Sequence, residues 1–206
     1  MSYTVKVLTE DEISQIYKTH MKRDFPPTEL KPLNHIIKSV REGYGFSLGI
    51  YEEERLTGYA VFILCRETRC ALLDYFAILK DRRGEGIGHL AFPLFDTYFQ
   101  ENLPEIEGLY IESERISAAE DEKQRLTRKR RIDFYCSCGC EMTKLRSVLF
   151  GVDYSVLYKP FKKTGSVAAK EALDALYRKM FKPGHYAKFV SLTEEAEEER
   201  KNVVTD

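Results

Sequence analysis

Apolar and polar residues alternate from Tyr3 to Leu8, a period-two pattern that predicts a short opening strand. Thr9 and Glu12 then form a capping-box pair, and Ile13, Ile16, Tyr17 and Met21 follow at helical spacing until Pro26-Pro27 stops the helix. Leu30, Leu33, Ile36, Ile37 and Val40 lie along one stripe of a second helix, which Gly43 and Gly45 end. Phe46 to Tyr51 and Gly58 to Cys65 read as two strands. The polar stretch Glu52 to Thr57 between them predicts a hairpin with a loop, not a tight two-residue turn.

Ala71 to Leu79 is apolar almost throughout, which predicts a central strand covered on both faces. A helix is expected from Ile87 to about Gln100 and a strand from Leu109 to Glu114. Residues 116 to 135 read as one long, highly charged helix, and Met142 to Phe150 and Val152 to Tyr158 as two strands around Gly151. This order gives an α/β fold in three layers: a mixed central sheet of about seven strands with helices on both faces, unlike a Rossmann alternation. Beyond Lys159 the character changes. Lys162 to Ser166 reads as a connector, and Ala169, Leu173, Leu176, Tyr177 and Met180 as an amphipathic helix; the charged last dozen residues read as a frayed tail. The expected organisation is a domain over 1–158 and a C-terminal helical extension over 159–206, packed on or next to it.

With 206 residues, 43% of them hydrophobic, the chain is long enough to bury a core, and disorder throughout is excluded. The net charge of -1 gives no global field toward nucleic acid or a membrane, although Lys123 to Arg131 is locally basic and Glu194 to Glu199 locally acidic. No apolar run approaches the roughly 20 residues that span a bilayer. The N-terminus lacks a signal-peptide pattern and the cysteines number five, so a reduced, cytoplasmic chain is expected.

Arg83-Gly84-Glu85-Gly86-Ile87-Gly88 stands between the buried strand and the helix after it. Glycines there let the backbone approach a ligand, and the amides and positive end of a helix favour an anion such as a diphosphate. A plain strand-to-helix turn is the other reading. The segment resembles the (Arg/Gln)-x-x-Gly-x-(Gly/Ala) motif of the GNAT superfamily of N-acyltransferases, and Phe76-Ala77-Ile78 precedes it at the spacing seen there. Phe134-Tyr135-Cys136-Ser137-Cys138-Gly139-Cys140 resembles the same family's aromatic-Tyr-x-x-x-Gly-Phe segment, with Cys140 in place of Phe. The resemblance covers about residues 3 to 158. It implies a GNAT-like fold with acetyl-CoA as co-substrate. The Phe76 and Ile78 main chains would hold the pantetheine, and Arg83, Gly84, Glu85, Gly86, Ile87 and Gly88 the pyrophosphate.

An amine acceptor is mostly ammonium at neutral pH, so attack on a thioester needs a general base. The resemblance points to Glu112 on the strand Leu109 to Glu114; Glu114 shares its face, and a plain surface-strand carboxylate is the competing reading. Tyr135 would be the general acid that protonates the departing thiolate, or else a packing residue, and the Ile78 N–H would hold the oxyanion. In the family roughly a dozen residues separate base and Tyr, so the 23 from Glu112 to Tyr135 imply an insertion of about three helical turns. Ser117 stands where the family has a CoA-contacting Asn.

Cys136, Cys138 and Cys140 lack the second pair or nearby His of a structural zinc site, so no metal is expected. Cys65 and Cys70 read as buried thiols. The basic run is a solvated face or a grip for RNA or a phosphorylated partner. His89 is a helix-surface residue or a CoA-phosphate contact, and His20, His35 and His185 have no partner in sequence. The leading function is therefore N-acetyl transfer from acetyl-CoA to a primary amine, small-molecule or peptide, by a monomer or homodimer with no nucleic-acid or membrane partner. The alternative is a non-catalytic acyl-CoA-binding sensor or interaction module. The C-terminal extension packs on its own domain, mediates dimerisation or lids the acceptor site.

Overall fold

A computed structural model describes residues 2–162 and 169–195 of the chain. Eight strands run through them, one more than the sequence suggests. They fall into two units, Met1–Leu64 with Leu73–Pro104, and Cys65–Leu72 with Glu105–Asp206.

In the first unit the strands lie in the order β1 (Tyr3–Val7), β2 (Gly45–Glu52), β3 (Arg55–Cys65) and β4 (Cys70–Ile78). β1–β2 and β2–β3 are antiparallel. The β2–β3 hairpin is tighter than predicted. Glu52 is opposite Arg55, so only Glu53 and Glu54 turn the chain, and Glu53 takes a positive φ of 56°. A β-bulge at Ile50/Tyr51 absorbs the register shift that conceals this pairing in the sequence.

The Thr9–Glu12 capping box is made: Glu12 Oε2 accepts from the Thr9 N–H at 2.7 Å, and Thr9 Oγ1 accepts from the Glu12 N–H at 3.3 Å. It starts α1 (Glu10–Ile16), which passes through a π-helical turn at Tyr17–Met21 and ends at Asp24. Ile13, Ile16, Tyr17 and Met21 pack with Ile36 and Ile37 of α2 (Leu33–Arg41) on Tyr59, Val61 and Tyr75. On the opposite face of β3, Phe62 meets Phe95 and Phe99 of α3 (Ile87–Asn102) edge-on, both at 5.3 Å, and stacks on Phe46 at 4.9 Å. Successive side chains point to opposite faces, so helices cover both sides of these strands. Each fully buried Phe contributes about 1.5–3 kcal/mol.

In the second unit the order is β5 (Gly108–Glu114), β7 (Val152–Pro160), β6 (Glu141–Leu149) and β8 (Val190–Glu194), antiparallel throughout. The single long helix expected over 116 to 135 is not formed. A 3-10 turn at Ile116–Ala118 is followed by a break, and Asp121 starts a new helix, α4 (Glu122–Ser137), by accepting from the Gln124 N–H at 2.7 Å. An Asp before a helical run competes for backbone N–H groups and caps a helix sooner than it continues one. The extra residues are thus divided between a turn and a shorter helix.

The amphipathic helix of the extension is α5 (Ala169–Met180), with Ala172, Leu173, Leu176 and Tyr177 fully buried. α6 (Pro183–Phe189) and β8 follow it, and neither was foreseen. β8 adds itself to the β6 edge from Leu145↔Glu194 to Leu149↔Val190. The connector expected at Lys162 to Ser166 falls mostly, and the charged tail almost wholly, outside the described residues.

Candidate active site

The glycine loop belongs to the first unit. β4 ends at Ile78, a 3-10 turn covers Lys80–Arg82, and Gly86 is the N-cap of α3. Gly84 and Gly86 take φ of +86° and +77°, and a Cβ at either would meet nothing within 4 Å. These glycines are therefore required by backbone conformation, and the space beside them is open. Among the described residues no side chain caps α3; the Gly86 carbonyl accepts from the His89 N–H at 3.0 Å, and the Ile87 and Gly88 amides before it have no side-chain acceptor.

The side chains around the loop are committed to the protein. The buried Arg82 guanidinium donates to Glu52 at 2.8 Å and to Glu85 at 2.9 Å, neutralising the acid inside the motif. Arg82 and then the Tyr3 hydroxyl hold the Glu52 carboxyl below the usual range. Arg83 folds back, its Nε donating to the Ile78 carbonyl at 2.9 Å and its Nη2 to Asp24 at 2.8 Å. The Asp24 side chain is only 2% exposed and also accepts from the Tyr59 hydroxyl at 2.9 Å. The Arg83 guanidinium thus latches the loop to the end of α1, and what remains for an anion is the backbone of Gly84 to Gly88. A surface depression of about 810 Å³, lined by Tyr3, Glu52, Arg82, Glu85 and Leu90 among others, borders the loop. Phe76 is fixed on β4 by edge contacts with Phe92 and Phe95 of α3, both at 5.8 Å.

The proposed acid and base belong to the second unit. Glu112 is half-buried on β5, and its Oε1 accepts from both the Ser147 hydroxyl on β6 and the Tyr177 hydroxyl on α5. Glu114, the other carboxylate on that face, is taken by the basic run: Arg128 donates to it at 2.8 Å and Arg131 at 3.0 Å. Two of the six basic residues of the predicted solvated face, Arg128 and Arg131, are therefore a clamp between α4 and β5, and they engage Glu114 in ion pairs. Ser117 accepts from Arg115 at 3.4 Å.

Tyr135 is buried in the last turns of α4, at i+4 from Arg131, so both share the stripe that faces β5. Burial pushes its phenol up to about 12, and the nearby Arg131 charge opposes the shift. It stays protonated across the working range. Gly139 at φ +83° ends the helix, with the Cys138 and Cys140 amides both bonded to the Tyr135 carbonyl, and Cys140 is buried where the motif has Phe. The motif glycine is thus a helix stop that fixes the turn carrying Tyr135.

Cys65 and Cys70 are buried thiols, as expected, and burial pushes Cys70 up to about 12. Among the described residues no group of three or more His, Cys, Asp or Glu is placed to hold a metal ion, and no helix is long and apolar enough to cross a membrane. The sequence reading missed Asp24, Ser147 and Tyr177. Only Tyr177 left a trace, as a hydroxyl-bearing residue in an otherwise apolar stripe.

A model of the acetyltransferase (GNAT) family matches residues 10–118. No curated protein matches the sequence. Among solved structures, spermidine N-acetyltransferase from Vibrio cholerae in complex with CoA and spermine is 12% identical, with a TM-score of 0.58 over 77% of this chain and 95% of its own. The ribosomal-protein-S18-alanine N-acetyltransferase from Escherichia coli is 14% identical, with a TM-score of 0.57 over 80% of this chain and 97% of its own. At these identities the likeness is one of fold.

Proposed function

We propose that this chain, which belongs to the acetyltransferase (GNAT) family, moves an acetyl group from acetyl-CoA to a primary amine by direct attack in a ternary complex. The observation that carries this reading is the glycine loop. Two positive-φ glycines with open space beside them lead into an uncapped helix N-terminus directly after the buried β4. That is the chemistry a diphosphate needs, with backbone amides and a helix dipole in place of a fixed cation.

In this account the amides of Gly84 to Gly88 hold the pyrophosphate, and the Phe76 and Ile78 main chains the pantetheine arm. Arg83 serves the loop as a latch. Glu112 takes a proton from the acceptor ammonium, the free amine so formed attacks the thioester carbonyl, and the Ile78 N–H stabilises the oxyanion. Tyr135, protonated throughout, delivers a proton to the thiolate as it leaves. No residue is acylated. The acceptor is a small-molecule or peptide amine. The structural neighbours suggest two classes to try first: a polyamine such as spermidine or spermine, and an amino-terminal alanine on a protein.

The test is release of CoA thiol from acetyl-CoA against a panel containing spermidine, spermine and peptides with a free amino terminus. Amine-dependent release is expected with at least one class. Tight acetyl-CoA binding with no release on any amine would replace this reading by a non-catalytic acyl-CoA sensor.

A further inference from the structure

Tyr177 is fully buried, on a helix that begins more than fifty residues beyond the segment matched by the family model. Packing alone does not require a phenol there. A Phe would fill an apolar stripe without a hydroxyl to satisfy, and a buried hydroxyl left without a partner is costly. The Tyr177 hydroxyl finds a carboxylate oxygen, and it is the Oε1 of Glu112. Ser147, also fully buried, donates to the same oxygen. Two neutral donors on one carboxylate oxygen restrict its rotation and favour its ionised form, in bonds roughly twice as strong as neutral ones.

The helix is built to hold this contact. Ala172, Leu173 and Leu176 anchor its buried face, and Lys179 pairs with Glu67 at 2.9 Å. Past α6, β8 pairs with β6, the strand that carries Ser147, and Glu195 pairs with Arg115. Both hydroxyls are thus presented from elements that the C-terminal segment ties together.

We infer that Tyr177 is a positioning residue for acetyl transfer, orienting the Glu112 carboxylate with Ser147 and keeping it ready to accept a proton. This rests on the reading of Glu112 as the general base. It makes the C-terminal helix part of the catalytic apparatus. Tyr154 on β7 shares this face, cross-strand from Ser147 and from Glu114, as do Tyr110 on β5 and its cross-strand partner Tyr158, and the Glu114 charge is balanced by Arg128 and Arg131. Burial, and next the Glu112 charge, hold the Tyr177 phenol well above its ordinary range, so it donates at every working pH.

The experiment uses full-length protein with carbon-13 in the glutamate carboxyls, the Glu112 signal being assigned by its loss in Glu112→Gln. Its titration midpoint is compared between wild type, Tyr177→Phe and Ser147→Ala, alongside kcat and KM against pH for the amine found by thiol release. Tyr177→Phe is expected to raise the Glu112 midpoint by about one pH unit, a tenfold change in the protonation equilibrium. The acid limb of kcat/KM moves with it, and KM for acetyl-CoA stays within about twofold. Substitution of Tyr177 by 3,5-difluorotyrosine, a stronger donor of nearly the same shape, is expected to shift both in the opposite direction. It also serves should Tyr177→Phe fail to fold. An unmoved midpoint, or a rate loss without a moved acid limb, would overturn the inference while Glu112→Gln remains inactive. Wild-type turnover in Glu112→Gln would instead overturn the base reading and the inference with it.

Discussion

Arg131 on α4 donates to Glu114 on β5 at 3.0 Å, one helical turn before Tyr135. Arg128 reaches the same carboxylate one turn earlier, at 2.8 Å. The basic run is thereby a device that sets the proposed acid against the strand that carries the proposed base. Glu112, on the same face, accepts instead from the Ser147 and Tyr177 hydroxyls.

This division of labour predicts different outcomes for Tyr135 and Glu114. Tyr135→Phe should lower kcat by about 10²-fold or more, with KM for acetyl-CoA within about twofold, measured by steady-state thiol release. Glu114→Gln should act on stability instead. It leaves two guanidinium groups short of a partner at a part-buried site, at a cost of about 1–3 kcal/mol read from denaturant unfolding. A Glu114→Gln variant that keeps its stability and loses turnover would exchange the roles.

Gly86→Ala tests the loop. Its cost is conformational, because φ is +77° and a Cβ meets nothing within 4 Å. About 1–2 kcal/mol of strain is expected, a drop of a few degrees in Tm. The added methyl stands in the open space assigned to the diphosphate, so acetyl-CoA affinity should fall about tenfold by calorimetry, equivalent to about 1.4 kcal/mol. Unchanged affinity would move the pyrophosphate away from this loop.

Glu67 gives the extension a pH dependence. The Lys179 ammonium, then the Glu67 N–H and the Cys65 thiol, hold its carboxyl down at about 2. A depressed carboxyl stabilises the fold above its unfolded value, about 4.3, and that stabilisation is lost as pH falls toward 2. The effect is small, since the Glu67 side chain is 67% exposed. Lys179→Met should therefore have a slightly lower Tm than wild type at pH 7, and the difference should vanish near pH 2. A difference that persists in acid would mean that Lys179 acts through its packing.

Several elements of the first unit were legible because they have a local cause. The Thr9–Glu12 box, the Pro26-Pro27 stop and the apolar run of β4 are decided within a few residues. The hairpin after Glu52 was not, because a bulge at Ile50/Tyr51 shifts the polar pattern away from the turn it surrounds. Asp121 was passed over because a charged stretch reads alike whether it is one helix or a turn and a capped helix. The glycine loop and Tyr135 carry motifs. The hold on Glu112 does not: Ser147 is 35 residues away and Tyr177 is 65, and no local pattern joins a strand carboxylate to a hydroxyl on another element.

The central claim is transfer of an acetyl group to an amine without an acyl-enzyme, and mass spectrometry of both product and protein tests it most directly. The chain is incubated with carbon-13-acetyl-CoA, with and without the amine panel. The account predicts labelled acetyl on at least one amine, none in the Glu112→Gln reaction, and an unmodified protein in both. Label on a cysteine of the chain, or no labelled amine despite saturating acetyl-CoA, would contradict it.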